Sequence, residues 1–146
     1  MVGKTTEYAI RALVYIYLRN MAGERPGFRE IAEKISAPSE FTGKVVQTLA
    51  KSGIIQSMKG PGGGFSFADM DAPVTLMQVI NYFEGVEFFH KCVFGLSGCT
   101  KSSPCPLHNE YAPVREKLSR IASESTIQLL ASRIKKNKAF LIRNPD

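Results

Sequence analysis

The stretch Val45–Ala68, "VVQTLAKSGIIQSMKGPGGGFSFA", decides the fold. It opens as the second half of a helix, with Val45, Val46, Leu49 and Ala50 on one apolar face. Gly53 stands where a left-handed residue ends such a helix. Two short β-prone runs, "IIQSM" and "FSFA", then flank "KGPGGG", a segment too rich in glycine and proline for a helix. The pattern predicts a hairpin.

Working upstream, Ser39 reads as the N-cap of a helix over 40–52. Its Phe41, Val45 and Leu49 face inward with Val46 and Ala50, while Glu40, Gly43, Lys44, Gln47 and Lys51 face outward. Segment 27–35, "GFREIAEKI", is a short amphipathic helix with Phe28, Ile31, Ala32 and Ile35 on its apolar side. Segment 5–20 is a longer helix with two apolar faces, one of Ala9, Leu13, Ile16 and Tyr17, the other of Ile10, Val14 and Leu18. It is expected to be covered on both sides. Helix, turn, helix and hairpin follow the winged-helix order, which assigns residues 1–72 to a winged helix-turn-helix in a mainly α fold.

Downstream, "TLMQVINYFEG" is a fourth helix with Thr75 as cap, Leu76, Val79, Ile80 and Phe83 as buried stripe, and Gly85 as stop. Leu107, Tyr111, Val114, Leu118 and Ile121 alternate steps of four and three, the a/d spacing of a coiled-coil seam on a long C-terminal helix. Pro113 should kink that helix or mark its true start. Thr126 opens a last amphipathic segment with Ile127, Leu130 and Ile134. Residues 73–146 thus read as a loop and C-terminal helices forming one compact unit with the first part.

The 146 residues suit a single domain, and 44% apolar content supplies a core. No run approaches the ~18 apolar residues of a membrane span, and "MVGKTTEYAI" lacks the order of a signal peptide. Cytoplasmic placement, with reduced thiols, is the expectation. The net charge of +6 permits nucleic-acid binding without establishing it. Arg133, Lys135, Lys136, Lys138 and Arg143 form an acid-free basic run that reads as a solvated helix face or tail.

In a helix-turn-helix, the N-terminal part of the second helix meets base edges in the major groove. Here that part offers Ser39, Glu40, Thr42, Gly43, Lys44 and Gln47, a mixture of hydroxyl, carboxylate, ammonium and amide groups suited to such edges. Lys59 at the wing tip is placed for a phosphate or the minor groove, and Gly62 and Gly63 keep the tip thin. The competing reading is a solvated basic face. A nucleotide loop is only weakly suggested, because the GK[ST] ending is missing and the segment does not run from a strand into a helix.

All three cysteines lie in "CVFGLSGCTKSSPCPLH", Cys92 to His108, with spacing C-x6-C-x5-C-x2-H. Cys92, Cys99, Cys105 and His108 are therefore candidate ligands for a soft metal or an iron–sulfur cluster. Structural zinc favours cysteine pairs two to four residues apart, and none occurs here. Zinc and a metal-free thiol switch stand as alternatives, beside three ordinary reduced thiols. No paired carboxylates and no nucleophile–base pair suggest an enzyme.

"TTEYAIRAL", the stretch from Val45 to Ala68, and "TLMQVINYFEG" leading to "CPLH" together closely resemble the Rrf-two family of bacterial transcription regulators, the IscR-, NsrR- and RirA-like proteins. The resemblance covers nearly the whole chain. It implies a homodimer joined by the long C-terminal helix and bound to a double-stranded DNA operator. It also implies an iron–sulfur cluster on the three cysteines near the dimer interface, 2Fe–2S favoured over 4Fe–4S. Loss, oxidation or nitrosylation of the cluster would change DNA affinity. The family's fourth ligand is either a His just after the third cysteine, here His108, or an acid on the partner's first helix, here Glu7. His108 is expected because it can bind in cis. The cysteine spacing departs from an even five-and-five pattern, and Gly43 replaces an acid of IscR-like members, so no operator sequence is carried over.

Overall fold

The computed structural model describes residues 2–136. The chain runs α1 (Lys4–Met21), α2 (Phe28–Lys34), α3 (Ser39–Ser52), β1 (Ile55–Met58), β2 (Gly64–Phe67), α4 (Leu76–Glu84), α5 (His108–Glu124) and α6 (Ile127–Lys135). A 3-10 turn, Val86–Phe89, extends α4 toward the cysteines. The basic run named above passes beyond the described residues at Lys138 and Arg143.

The centre of the fold is α1. Ala9, Ala12, Leu13, Val14 and Ile16 are all buried, as its two apolar faces require, and α3, α4 and α6 pack against it. Val79 of α4 and Ile127 and Ala131 of α6 share one core with Ile31, Val46 and Leu49 of the helix-turn-helix. α4 and α6 start side by side. Thr75 and Thr126 cap their helices and bridge each other, with Leu76 N–H donating to the Ser125 carbonyl (2.9 Å) and Ile127 N–H to that of Val74 (2.8 Å).

The α1 N-terminus is capped from a distance. Gly3 at the N-cap has no side chain, so Glu84 at the end of α4 supplies the acceptor. Its carboxylate takes hydrogen bonds from Gly3 N–H and from the buried Thr6 hydroxyl, both at 2.7 Å. A negative charge is favoured at a helix N-terminus, and here another helix supplies it.

β1 and β2 form the expected antiparallel hairpin, Ile55 facing Phe67 and Met58 facing Gly64. Its outer edge is closed by groups far upstream in sequence. Asn20 donates to the Phe65 carbonyl (3.2 Å) and accepts from Phe67 N–H (2.9 Å), while Phe65 N–H donates to the Pro26 carbonyl (2.9 Å). Asn20 and the α1–α2 loop thus do for β2 what a third strand would do, and they hold the wing against α1.

Local expectations need correcting at four points. α3 begins at Ser39, with Pro38 as its uncapped N-cap. Phe28 is 36% exposed and lies on the outside of the helix-turn-helix, outside its core. α5 starts at His108 and continues past Pro113, so the proline does not mark the start of the helix; it leaves the Asn109 carbonyl without its intrahelical donor. Within the seam, Leu118 packs on Ile80, Phe89 and Ala122 of its own chain, whereas Leu107, Val114 and Ile121 are 44%, 56% and 49% exposed.

Candidate functional site

Ser39, Glu40, Lys44 and Gln47 stand exposed along α3, and Lys59 is exposed in the wing turn. The turn depends on its glycines. Gly62 has a φ of +75°, and a side chain on Gly63 would run into the Met58 carbonyl. Gly63 N–H closes the turn on the Gly60 carbonyl at 2.9 Å.

Thr42 is not part of this surface. It is fully buried, and its Oγ1 has no hydrogen-bond partner among the described residues. The helical period explains the error: position 42 lies three residues before Val45 and four before Val46, so its side chain shares their inward face. Gly43 also has a reason other than contact with DNA. A Cβ there would lie 3.3 Å from the Phe28 ring, which packs over it, and the Arg29 guanidinium sits 5.4 Å from that ring's centroid.

The second site is the cysteine loop. Cys92, Cys99 and Cys105 are free thiols, and their sulfurs all lie within 4.8 Å of one another. Cys92 Sγ is 3.6 Å from Cys105 Sγ, and Cys99 Sγ is 3.3 Å from His108 Nδ1. Cys105 N–H also points at Cys99 Sγ (3.3 Å). The donors thus form two close pairs, each joining one earlier cysteine of the loop to one group in the Cys105–His108 turn that leads into α5.

Electrostatics differ across the set. The backbone N–H of Phe94 favours the Cys92 thiolate and, with that of Leu96, outweighs burial to lower the thiol to about 7. Cys105 is pushed up, by burial first and then by the neighbouring sulfurs. A lowered thiol is the ready metal ligand and nucleophile of the group.

The donor chemistry fits a metal centre. Tetrahedral ligands at ~2.3 Å from a metal stand ~3.8 Å apart, close to both pair separations. His108 lies outside the mutual group of three sulfurs. Glu7, the other candidate ligand, is paired on its own helix with Lys4 (3.1 Å) and Arg11 (4.0 Å).

Sequence reasoning missed two residues that shape these sites. Asn20 anchors the wing, and Arg115 on α5 donates to the carbonyls of His90 (2.8 Å) and Lys91 (3.1 Å), just before Cys92. Neither carries a local signal, since each acts across a long sequence separation.

Among the described residues, no helix is long and apolar enough to cross a membrane. The chain is 29% identical over 126 residues to a protein of Aquifex aeolicus (strain VF5) predicted to be an HTH-type transcriptional regulator, covering 85% of this chain and 86% of that one. It is 26% identical to the HTH-type transcriptional repressor NsrR of Streptomyces coelicolor, over 71% of this chain and 66% of that one. The fold matches that of T. potens IscR with a TM-score of 0.72 at 14% identity, covering 96% and 92% of the two chains. The family profile described as "Rrf2: Iron-dependent Transcriptional regulator" matches residues 2–133. The chain belongs to the Rrf2 family of DNA-binding transcriptional regulators.

Proposed function

We propose that this protein is a homodimeric, cytoplasmic regulator that binds a double-stranded DNA operator. It senses redox, iron or nitric oxide status through an iron–sulfur cluster held by Cys92, Cys99, Cys105 and His108. The observation that carries this reading is the arrangement of the donors as two pairs, 3.6 and 3.3 Å apart. Each pair suits one tetrahedral metal, and two such metals make a 2Fe–2S core the favoured occupant. The iron-dependent description of the family points the same way.

When bound, the cluster supplies a redox-active, nitric-oxide-reactive centre. The chain does the rest. Cys105 and His108 move with α5, which carries the exposed seam of Leu107, Val114 and Ile121. Cys92 follows the 3-10 turn that extends α4, and α4 caps α1 through Glu84. α1 in turn packs on α3 and, through Asn20, holds the wing. A bound centre would tie the loop cysteines to Cys105 and His108, and this contact chain would link that tie to the DNA-binding surface. On that surface Ser39, Glu40, Lys44 and Gln47 face base edges, Gly43 gives room for Phe28, and Lys59 with the thin Gly62–Gly63 tip meets the backbone.

A second reading is a single zinc ion in the same fold. It is favoured by the closeness of the three sulfurs, all within 4.8 Å, but leaves His108 outside that group. Operator titrations with protein prepared without oxygen, before and after removal of its metal, test the proposal. A change in affinity supports sensing at this site, and identical titrations contradict it. His108→Ala should shorten the lifetime of the centre in air while Glu7→Ala does not; the reverse would assign the fourth ligand to the partner's Glu7.

A further inference from the structure

We propose that Arg115 is a positioning residue for the cysteine centre: it pins the start of the loop to α5 and so holds Cys92 beside Cys105. The inference rests on the reading of Cys92, Cys99, Cys105 and His108 as one ligand set.

The four donors are not equally fixed. His108 is the first residue of α5, and Cys105 lies three residues before it in the turn that leads into the helix, closed by His108 N–H on the Cys105 carbonyl (3.1 Å). His108 is placed by the helix, and Cys105 is held next to it by the turn that leads directly into α5. Cys92 and Cys99 come from a glycine-rich loop whose own hydrogen bonds are local, such as Gly95 N–H to the Cys92 carbonyl (2.9 Å) and the mutual pair of Thr100 and Ser103 (3.1 Å). Bonds of that kind shape the loop without fixing it on the helix.

Arg115 makes the link. Its Nη1 donates to the carbonyls of His90 (2.8 Å) and Lys91 (3.1 Å), and the second of these belongs to the peptide that leads into Cys92. Two acceptors on one nitrogen use both of its hydrogens and define its direction. Tyr111, one turn earlier, supports the guanidinium, which lies 5.8 Å from its ring centroid. Arg115 and Tyr111 line one small cavity together with Cys92, Cys99, Cys105 and His108. A planar guanidinium that stays charged at all working pH values suits such a tether better than an ammonium does.

Outer contacts that orient ligands typically contribute 10–100-fold in metal affinity. The test uses reduced, metal-free, full-length protein titrated anaerobically with Co2+, whose absorption bands report tetrahedral thiolate coordination. Arg115→Met should weaken Co2+ binding by about 10–100-fold, and Arg115→Lys should recover part of the loss. Arg120→Met, an exposed arginine on the same helix, should match the wild type. A second measurement is iodoacetamide labelling of the metal-free protein, read at each cysteine by mass spectrometry. Arg115→Met should label Cys92 several-fold faster and leave Cys105, held by the turn next to α5, unchanged. General unfolding would expose both cysteines alike and would overturn the proposal. Unchanged Co2+ affinity with unchanged Cys92 labelling would also overturn it, as would an equal loss in Arg120→Met. Wild-type protein that takes up no Co2+ would instead contradict the ligand set itself, and the labelling ratio would then decide the role of Arg115.

Discussion

Replacing Thr42 by Val exchanges a hydroxyl for a methyl of similar volume at a position with no exposed surface. Both residues are β-branched with similar helix propensities, so the backbone terms nearly cancel. What remains is the hydroxyl. Thr42 Oγ1 is buried with no partner among the described residues, and an unsatisfied buried polar group costs about 1–3 kcal/mol. Burying a methyl in its place adds about 0.8 kcal/mol of favourable transfer energy, less any strain of fitting it. Thr42→Val should therefore stabilise the protein by about 2–4 kcal/mol before strain and raise Tm by roughly 6–12 °C for a chain of this size. Urea unfolding of the reduced, metal-free protein reads the first quantity, and selection from a randomised operator reads base preference, which should not change. A variant less stable than wild type would mean that the hydroxyl has a partner. A variant with altered base preference would return Thr42 to the recognition surface and refute the placement of α3.

Hydrogen bonds from Thr6 and then Gly3 hold the Glu84 carboxyl below the usual carboxylate range. Its contribution is thus present above the unfolded-state pKa and lost as pH falls through the folded-state value. Glu84→Gln should destabilise by about 1 kcal/mol near neutrality, with the gap closing in acid; a gap independent of pH would contradict the capping role. On DNA, Lys59→Ala should weaken all sequences alike and reduce the salt slope by about one unit, whereas Gln47→Ala should change base preference with ~1–3 kcal/mol at stake. Reversed behaviour would mean that helix and wing are misplaced. Val114→Glu sets a charge in the exposed seam of α5, and sedimentation should then show monomer. Val114 is the better probe than Leu118, which serves its own chain's core, and a variant that stays dimeric would exclude the seam as the interface.

The order of elements was legible because each carries a local signal. Glycine-rich "KGPGGG" demands a turn, Thr75 and Thr126 cap where they should, and α1 with two apolar faces is covered on both sides. The gathering of cysteines in sequence likewise anticipated their gathering in space. What could not be read depends on distant partners. Thr42 fits the inward stripe of α3 by period but reads as polar by composition, and burial decides between the two. The place of Gly43 under Phe28, the reach of Glu84 to the α1 N-terminus, the Asn20 clamp on β2 and the Arg115 tether all join residues on different elements. No window of sequence contains both ends of any of them.

The three gathered cysteines, with His108 beside Cys99, are proposed to hold an iron–sulfur centre. Purification without oxygen, followed by a visible absorption spectrum with iron, sulfide and zinc analysis, tests it most directly. The protein should be brown with matching iron and sulfide, and the colour should be lost in each of Cys92→Ala, Cys99→Ala and Cys105→Ala. Colourless protein carrying one zinc per chain would contradict it and leave the same fold built around a structural ion.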